Sequence, residues 1–132
     1  MGIIYTSMEY SRTRKIGVNK MEEAIFKGDD LRAFGGHFLT IKILNPDLYK
    51  ISKIVFVVNN GVIIKEFTDE NFFQVEETLL SVDFTSSDTM KLSNLNVGNV
   101  IAYDENGYKE TCIQSIKFYA QNGVICNAKC SC

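Results

Sequence analysis

IVFVVNNGVIIKEF, residues 54–67, is the stretch that decides the fold. Two runs rich in Val, Ile and Phe flank Asn60-Gly61. This arrangement predicts a β-hairpin, because both central residues of a type I′ turn need positive φ. With Asn60 and Gly61 as the loop, the facing pairs are Val58–Ile63, Phe56–Lys65 and Ile54–Phe67. Since Lys65 and Glu66 are the only charges in the stretch, we predict that the hairpin lies at the centre of a sheet and is its most buried pair of strands.

Outside this hairpin, polar and apolar residues alternate with a period of two. Leu39, Ile41 and Ile43 alternate with Thr40 and Lys42, the pattern of a strand with one buried face. The same reasoning predicts further strands over residues 24–27, 80–84, 100–103 and 111–120, with a turn around Gly98 over residues 96–99. Short strands separated by Gly and Asn turns predict an all-β chain, an antiparallel immunoglobulin-like β-sandwich of about seven or eight strands.

One short helical turn is expected within this all-β pattern. Thr85 can accept hydrogen bonds from the first backbone N–H groups of a helix, and Asp88, three residues later, suits its first turn. Met90 lies too close to Leu92 in sequence for a long amphipathic stripe. The helix is therefore predicted to span one or two turns at most.

The chain divides into an N-terminal arm, residues 1–21, a β-sandwich domain, residues 22–125, and a Cys-containing tail, residues 126–132. No turn signal follows five apolar or aromatic side chains of the arm until Gly17: Ile3, Ile4, Tyr5, Met8 and Tyr10. Burying each would stabilise the protein by roughly 1.5–3 kcal/mol. We expect these residues to form an assembly arm in which residues 3–7 lie beside the sheet edge of a neighbouring subunit.

Composition limits the function classes. A chain of 132 residues corresponds to one domain, and its net charge of −2 gives no basic surplus for nucleic-acid phosphates. The N-terminus lacks the pattern of a secretory signal. The longest apolar run, residues 54–58, is too short to span a bilayer. We therefore expect no nucleic acid and no membrane partner, and a soluble chain made in the cytoplasm.

No catalytic motif is evident. His37 follows two glycines, but no spacing nominates a nucleophile for it, and the carboxylate pairs near Asp29, Asp69 and Glu76 are typical of solvated turns. The four cysteines are Cys112, Cys126, Cys130 and Cys132. Their spacing favours reduced thiols over a metal site, although a disulfide or a metal at the last three stays open. We predict no enzyme activity, no cofactor and no metal.

The tyrosines leave one binding alternative open. Tyr5, Tyr10, Tyr49, Tyr103, Tyr108 and Tyr119 could form a platform on which a sugar stacks. More often such residues are half-buried in a sheet with a hydrated hydroxyl.

Three segments resemble one family in their order. Phe26-Lys27-Gly28-Asp29 is similar to its opening strand, residues 47–56 (DLYKISKIVF) to its second segment, and residues 82–92 (VDFTSSDTMKL) to a strand that runs into a T-x-x-D-T-x-x-L helical turn. A final strand pair around Asn106-Gly107 completes the order. Over about residues 24–125 the chain resembles the N-terminal β-sandwich domain of tailed-phage baseplate upper proteins.

This resemblance implies a structural protein of a bacteriophage particle, in the tail, baseplate or neck, assembled in the host cytoplasm and located in the virion. Its partners would be other virion proteins and copies of itself, as a homo-oligomer. The alternative is a carbohydrate-binding β-sandwich or a receptor-binding or adhesion domain, with exposed tyrosines such as Tyr103 and Tyr108 contacting the ligand.

Overall fold

The computed structural model describes residues 7–11, 15–18, 25–69 and 75–123. These ranges are mostly β-strand, as predicted, with one 3₁₀ turn, Ala33–Gly35, and one short helix, α1 (Ser86–Met90). Their strands are β1 (Ser7–Ser11), β2 (Lys15–Val18), β3 (Ile25–Lys27), β4 (Leu39–Leu44), β5 (Ile51–Val58), β6 (Ile63–Phe67), β7 (Glu77–Val82), β8 (Leu95–Asp104) and β9 (Lys109–Asn122).

The strands form two sheets, one in the order β2-β1-β4-β7 and the other in the order β3-β9-β8-β5-β6. β1 pairs with β4, and β3 with β9, in parallel. The prediction of purely antiparallel pairing is therefore wrong for these two pairs. Antiparallel partners can be joined by a short turn, whereas parallel partners need a long crossover. Here β1 and β3 each pair with a strand that comes later in the chain.

Both sheets contribute to one hydrophobic core. Leu39, Ile41 and Ile43 of β4 are buried, and Thr40 and Lys42 are half-buried, which confirms the period of two. Four phenylalanines from different segments meet in this core: Phe38, Phe56, Phe84 and Phe118. The rings of Phe38 and Phe84 stack at 4.4 Å between centroids. The core therefore joins the two sheets through aromatic contacts.

The hairpin of β5 and β6 has the predicted register, with Ile54 opposite Phe67 and Val58 opposite Ile63. Its loop is longer than predicted, because the four residues 59–62 separate the last strand pair, Val58 and Ile63. Asn59 and Asn60 both have positive φ, 50° and 59°, and the Gly61 N–H donates to the Val58 carbonyl at 3.1 Å. Asn59 and Asn60 are thus the central residues of this turn, because Asn tolerates the left-handed region, and Gly61 follows them in the loop with φ of 119°.

Hydrogen bonds between Asn59 and β8 stabilise this turn. Asn59 Oδ1 accepts from the Val97 N–H at 3.0 Å, and its Nδ2 donates to Asn96 Oδ1 at 2.9 Å. The backbone N–H of Asn59 also donates to the Val97 carbonyl, at 2.8 Å. These contacts hold the turn against a strand that lies far away in sequence.

The predicted central position of the hairpin is wrong for β6. β5 lies between β8 and β6, but β6 is the edge strand of its sheet. Ile63 is 3% exposed, whereas Ile64 is 53% exposed. Apolar residues on both faces of a strand indicated full burial, but sheet order is set by non-local pairing, which leaves one face and one edge of β6 uncovered.

β8 begins at Leu95, so the turn predicted over residues 96–99 does not exist. Gly98 lies inside the strand and pairs with Val58 and Ile116 on either side. A glycine within a strand commonly marks a close approach of another group. Here that group is the ring of Phe56.

Candidate functional site

A groove at one end of the second sheet brings three of the six tyrosines together. Its volume is about 370 Å³, within the range of small-molecule sites. We call it the tyrosine groove. Its lining combines the turn before β5 with the hairpin between β8 and β9: Tyr49, Lys50, Ile51, Ala102, Tyr103, Asp104, Glu105, Asn106, Tyr108, Lys109 and Glu110.

A buried asparagine holds Tyr49 in place. Asn45 is 4% exposed, and its Nδ2 donates to the Tyr49 carbonyl at 2.9 Å while its Oδ1 accepts from the Tyr49 N–H at 3.0 Å. The Leu48 N–H donates to the Asn45 carbonyl, closing the turn that Asn45-Pro46-Asp47 predicts. Because both backbone groups of Tyr49 are bonded to one side chain, the backbone that carries this ring is fixed.

Tyr103 lies on β8, beside Lys53 of β5. The Lys53 ammonium sits 4.5 Å from the centroid of its ring, a cation–π contact. Ser52 Oγ donates to the Asp104 carbonyl at 2.7 Å and lies 3.2 Å from the Tyr103 carbonyl. These contacts tie the backbone at Tyr103 to β5 where the regular β5–β8 register is interrupted.

Tyr108 is presented by the β8–β9 turn. Asp104 Oδ1 accepts from the backbone N–H groups of Asn106 at 2.8 Å and of Tyr108 at 2.9 Å. The Asp104 N–H donates to the Tyr108 carbonyl at 2.8 Å, and Gly107 supplies the positive φ, 85°, that the turn needs. Tyr108 is 75% exposed and Tyr49 is 49% exposed, so a fixed backbone displays two accessible rings.

The charges of the groove nearly balance. Its lining holds two lysines and three carboxylates. Lys50 and Glu105 form an exposed pair with Nζ and Oε1 3.8 Å apart, and Asp104 already accepts two backbone hydrogen bonds. The apolar residues Ile51 and Ala102 pack against the core. The arrangement offers aromatic faces, an apolar floor and polar groups at the rim.

Among the remaining tyrosines, Tyr119 is the one whose side chain the structure describes, and it does not line this groove. Tyr119 lies on β9, opposite Leu95, and is 61% exposed. Tyr10 lies in β1, and Tyr5 is outside the described residues. The sequence analysis named all six tyrosines as a possible platform, with Tyr103 and Tyr108 as examples of exposed ones, but did not single out the three that meet in the groove. The turn signal directly before Tyr49 was the available hint that this residue is displayed.

The proposed assembly arm is described in part. Ile3, Ile4 and Tyr5 lie outside the described residues, whereas Met8 and Tyr10 lie in β1. β1 runs beside β4 of the same chain, with Ser7 opposite Thr40 and Ser11 opposite Leu44. In this chain the arm strand therefore occupies a position inside a sheet, between β2 and β4.

A second polar cluster links α1 to β3 and β6. Thr85 Oγ1 accepts from the Asp88 N–H at 3.1 Å, and Asp88 Oδ2 accepts from the Thr85 N–H at 2.9 Å, which confirms the predicted capping pair. Lys65 Nζ lies 2.6 Å from Asp88 Oδ2. Burial disfavours the charged form of Asp88, but the hydrogen bonds from Lys65 and Thr85 outweigh it and hold the pKa of Asp88 below its ordinary value.

The same helix fixes the turn after β3. The Gly28 N–H donates to Thr89 Oγ1 at 3.0 Å, and the Thr89 hydroxyl donates to the Asp29 carbonyl at 2.8 Å. Gly28 has φ of 94°, a conformation that favours glycine. Thr89 is fully buried. Two of the segments that carry the family resemblance thus contact each other directly.

The remaining candidate residues have ordinary surroundings. His37 Nε2 lies 2.8 Å from Thr40 Oγ1. Arg32 donates to Asp30 and lowers the pKa of that exposed carboxyl to about 2. Cys112 is buried and its Sγ donates to the Glu110 carbonyl at 3.8 Å, whereas Cys126, Cys130 and Cys132 lie outside the described residues. Within the described ranges, no group of three or more His, Cys, Asp or Glu side chains could hold a metal ion.

Comparisons with known proteins identified no similar protein. No family model, no curated protein and no solved structure matches this chain. In the part of the chain that the structure describes, no helix is long and apolar enough to cross a membrane.

Proposed function

We propose that the chain is an immunoglobulin-like β-sandwich that serves as a non-catalytic protein–protein assembly module of a bacteriophage particle, in the tail, baseplate or neck. Its partners are copies of itself and other virion proteins, and its location is the virion. The observation that carries the proposal is the contact between two segments of the family resemblance, Gly28-Asp29 and Thr89, at 3.0 and 2.8 Å. Because the two segments contact each other in the fold, their joint presence in the chain has a structural explanation.

The proposed assembly mechanism is strand exchange through the arm. β1 pairs with β4 along five residues in parallel register. The same backbone hydrogen bonds form when the arm of one copy lies beside β4 of another copy. Exchange of an identical element between subunits creates few new contacts and leaves few groups unpaired, so it is a low-cost route to an oligomer.

The test is the mass of the full chain in solution, followed by deletion of residues 1–20. We expect the full chain to be an oligomer by sedimentation, and the truncated chain to be a folded monomer. Glu9 lies opposite Lys42 in the β1–β4 pair. Two substitutions at this position distinguish the effect of losing a backbone hydrogen bond from the effect of losing the side chain. Glu9→Pro removes a backbone donor within β1 and should dissociate the oligomer, whereas Glu9→Ala should not.

Two results would refute strand exchange. One is a full chain that sediments as a monomer over the concentration range of the experiment. The other is an oligomer whose number of subunits does not change on deletion of residues 1–20. Circular dichroism of each variant shows whether the β-sheet signal is retained.

A further inference from the structure

We propose that the tyrosine groove is a binding site for a neutral glycan. This role goes beyond assembly, since it needs a single copy of the chain and none of the arm residues. Three features carry the proposal: the convergence of three tyrosines, the fixed backbone beneath them and the balance of charge in the lining.

Convergence supplies the aromatic surface. Tyr49, Tyr103 and Tyr108 come from two separate segments yet line one groove. A pyranose ring has apolar C–H faces and a rim of hydroxyl groups. A tyrosine has an apolar ring face with a polar hydroxyl at one end. The ring face can therefore stack on the C–H face of the sugar, and the hydroxyl can hydrogen-bond to the sugar hydroxyls.

Rigidity distinguishes this groove from a chance cluster of surface tyrosines. Tyr49 is held by Asn45 through two hydrogen bonds of 2.9 and 3.0 Å. Tyr108 is held by Asp104 through the N–H contact of 2.9 Å and the carbonyl contact of 2.8 Å. A site whose parts are already ordered loses less conformational entropy on binding, so weak contacts suffice for measurable affinity.

Charge decides the class of glycan. Two lysines face three carboxylates in the lining, so the groove has no positive surplus for a sialic acid, a uronic acid or a phosphate. The exposed side chains of Asn106 and Lys109 at the rim can donate hydrogen bonds to sugar hydroxyls or accept them through the Asn106 amide oxygen. An extended proline-rich peptide also docks on aromatic grooves, but the polar rim favours a polyhydroxylated ligand.

The experiment screens the full chain on an array of neutral and acidic glycans. The best neutral oligosaccharide is then titrated into ¹⁵N-labelled protein. Sialyllactose and decaproline serve as the acidic and the peptide probe. We expect saturable shifts of the Asn106 and Tyr108 amides with the neutral sugar alone.

Three variants then test the groove. Tyr108→Ala removes an exposed ring and should weaken binding about three- to tenfold, the scale of one aromatic contact. Tyr108→Phe keeps the ring and should retain most of the affinity. Tyr119→Ala is the matched control, because Tyr119 is an exposed tyrosine on β9 outside the groove lining, and it should bind like the parent chain.

Three outcomes would overturn the proposal. These are no saturable binding of any neutral glycan, equal weakening by Tyr108→Ala and Tyr119→Ala, and groove shifts with decaproline but with no sugar. Because the groove is lined by residues of one chain, glycan binding can fail while the oligomer is intact, and the sedimentation test can fail while glycan binding persists.

Discussion

Gly98 lies directly against the ring of Phe56: a Cβ built on Gly98 would be 2.9 Å from both Cε1 and Cζ of that ring. Phe56 is fully buried and contacts the other core phenylalanines, with its ring centroid 6.0 Å from that of Phe38. The absence of a side chain at Gly98 therefore makes room for a ring at the centre of the core.

We expect Gly98→Ala to lower the free energy of unfolding by about 1–3 kcal/mol, because overpacking forces the ring to move. Phe56→Leu makes the ring site smaller and should relieve part of that cost. The double variant should then be more stable than the sum of the single changes predicts, by about 0.5–3 kcal/mol. Urea unfolding of the four proteins measures this coupling, and strict additivity would show that the two sites do not press on each other.

Ile63 and Ile64 are neighbours on β6 with opposite surroundings, 3% and 53% exposed. Ile63→Ala should lower the free energy of unfolding by about 2–5 kcal/mol, since it leaves a cavity in the core. Ile64→Ala should cost under about 1.5 kcal/mol, because half of its surface is already hydrated. Chemical unfolding of both variants measures the difference. Equal losses would show that both faces of β6 are buried.

The Lys65–Asp88 pair predicts a specific dependence of stability on pH. Because the pKa of Asp88 is lowered in the folded protein, its contribution is complete above the unfolded value of about 3.9 and is lost as pH falls through the folded pKa. Lys65→Met should lower the free energy of unfolding by about 1–3 kcal/mol at pH 7. As the pH falls below about 5, the free energy of unfolding of Lys65→Met should decrease less than that of the parent chain.

Lys91→Met is the matched control for that experiment, because Lys91 is exposed at the end of α1 and should leave the pH profile unchanged. Asp30, whose pKa is lowered to about 2, titrates in all three proteins and cancels in the comparison. Urea unfolding at a series of pH values gives the profiles. Parallel profiles for Lys65→Met and the parent would show that Asp88 does not depend on Lys65.

The turns and the individual tyrosines of the tyrosine groove could be predicted from the sequence, but the groove itself could not. The turns around Asn45-Pro46-Asp47 and Asn106-Gly107 were readable, because Pro, Asn, Asp and Gly impose local backbone geometry. Each tyrosine was visible as a candidate. Their convergence was not, because it depends on the β5–β8 pairing, which places Ile51 opposite Asp104 and so brings the two turns together.

Sequence alone determined the features that depend on neighbours along the chain. The hairpin register of β5 and β6, the alternation along β4 and the capping pair of Thr85 and Asp88 all follow from side-chain period and turn or cap chemistry. Only the tertiary structure decided that β6 is an edge strand, that β1 pairs in parallel with β4 and β3 with β9, and that Gly98 contacts Phe56. These features arise from contacts between distant segments, where several sheet orders satisfy the same local pattern and the packing of the shared core selects one.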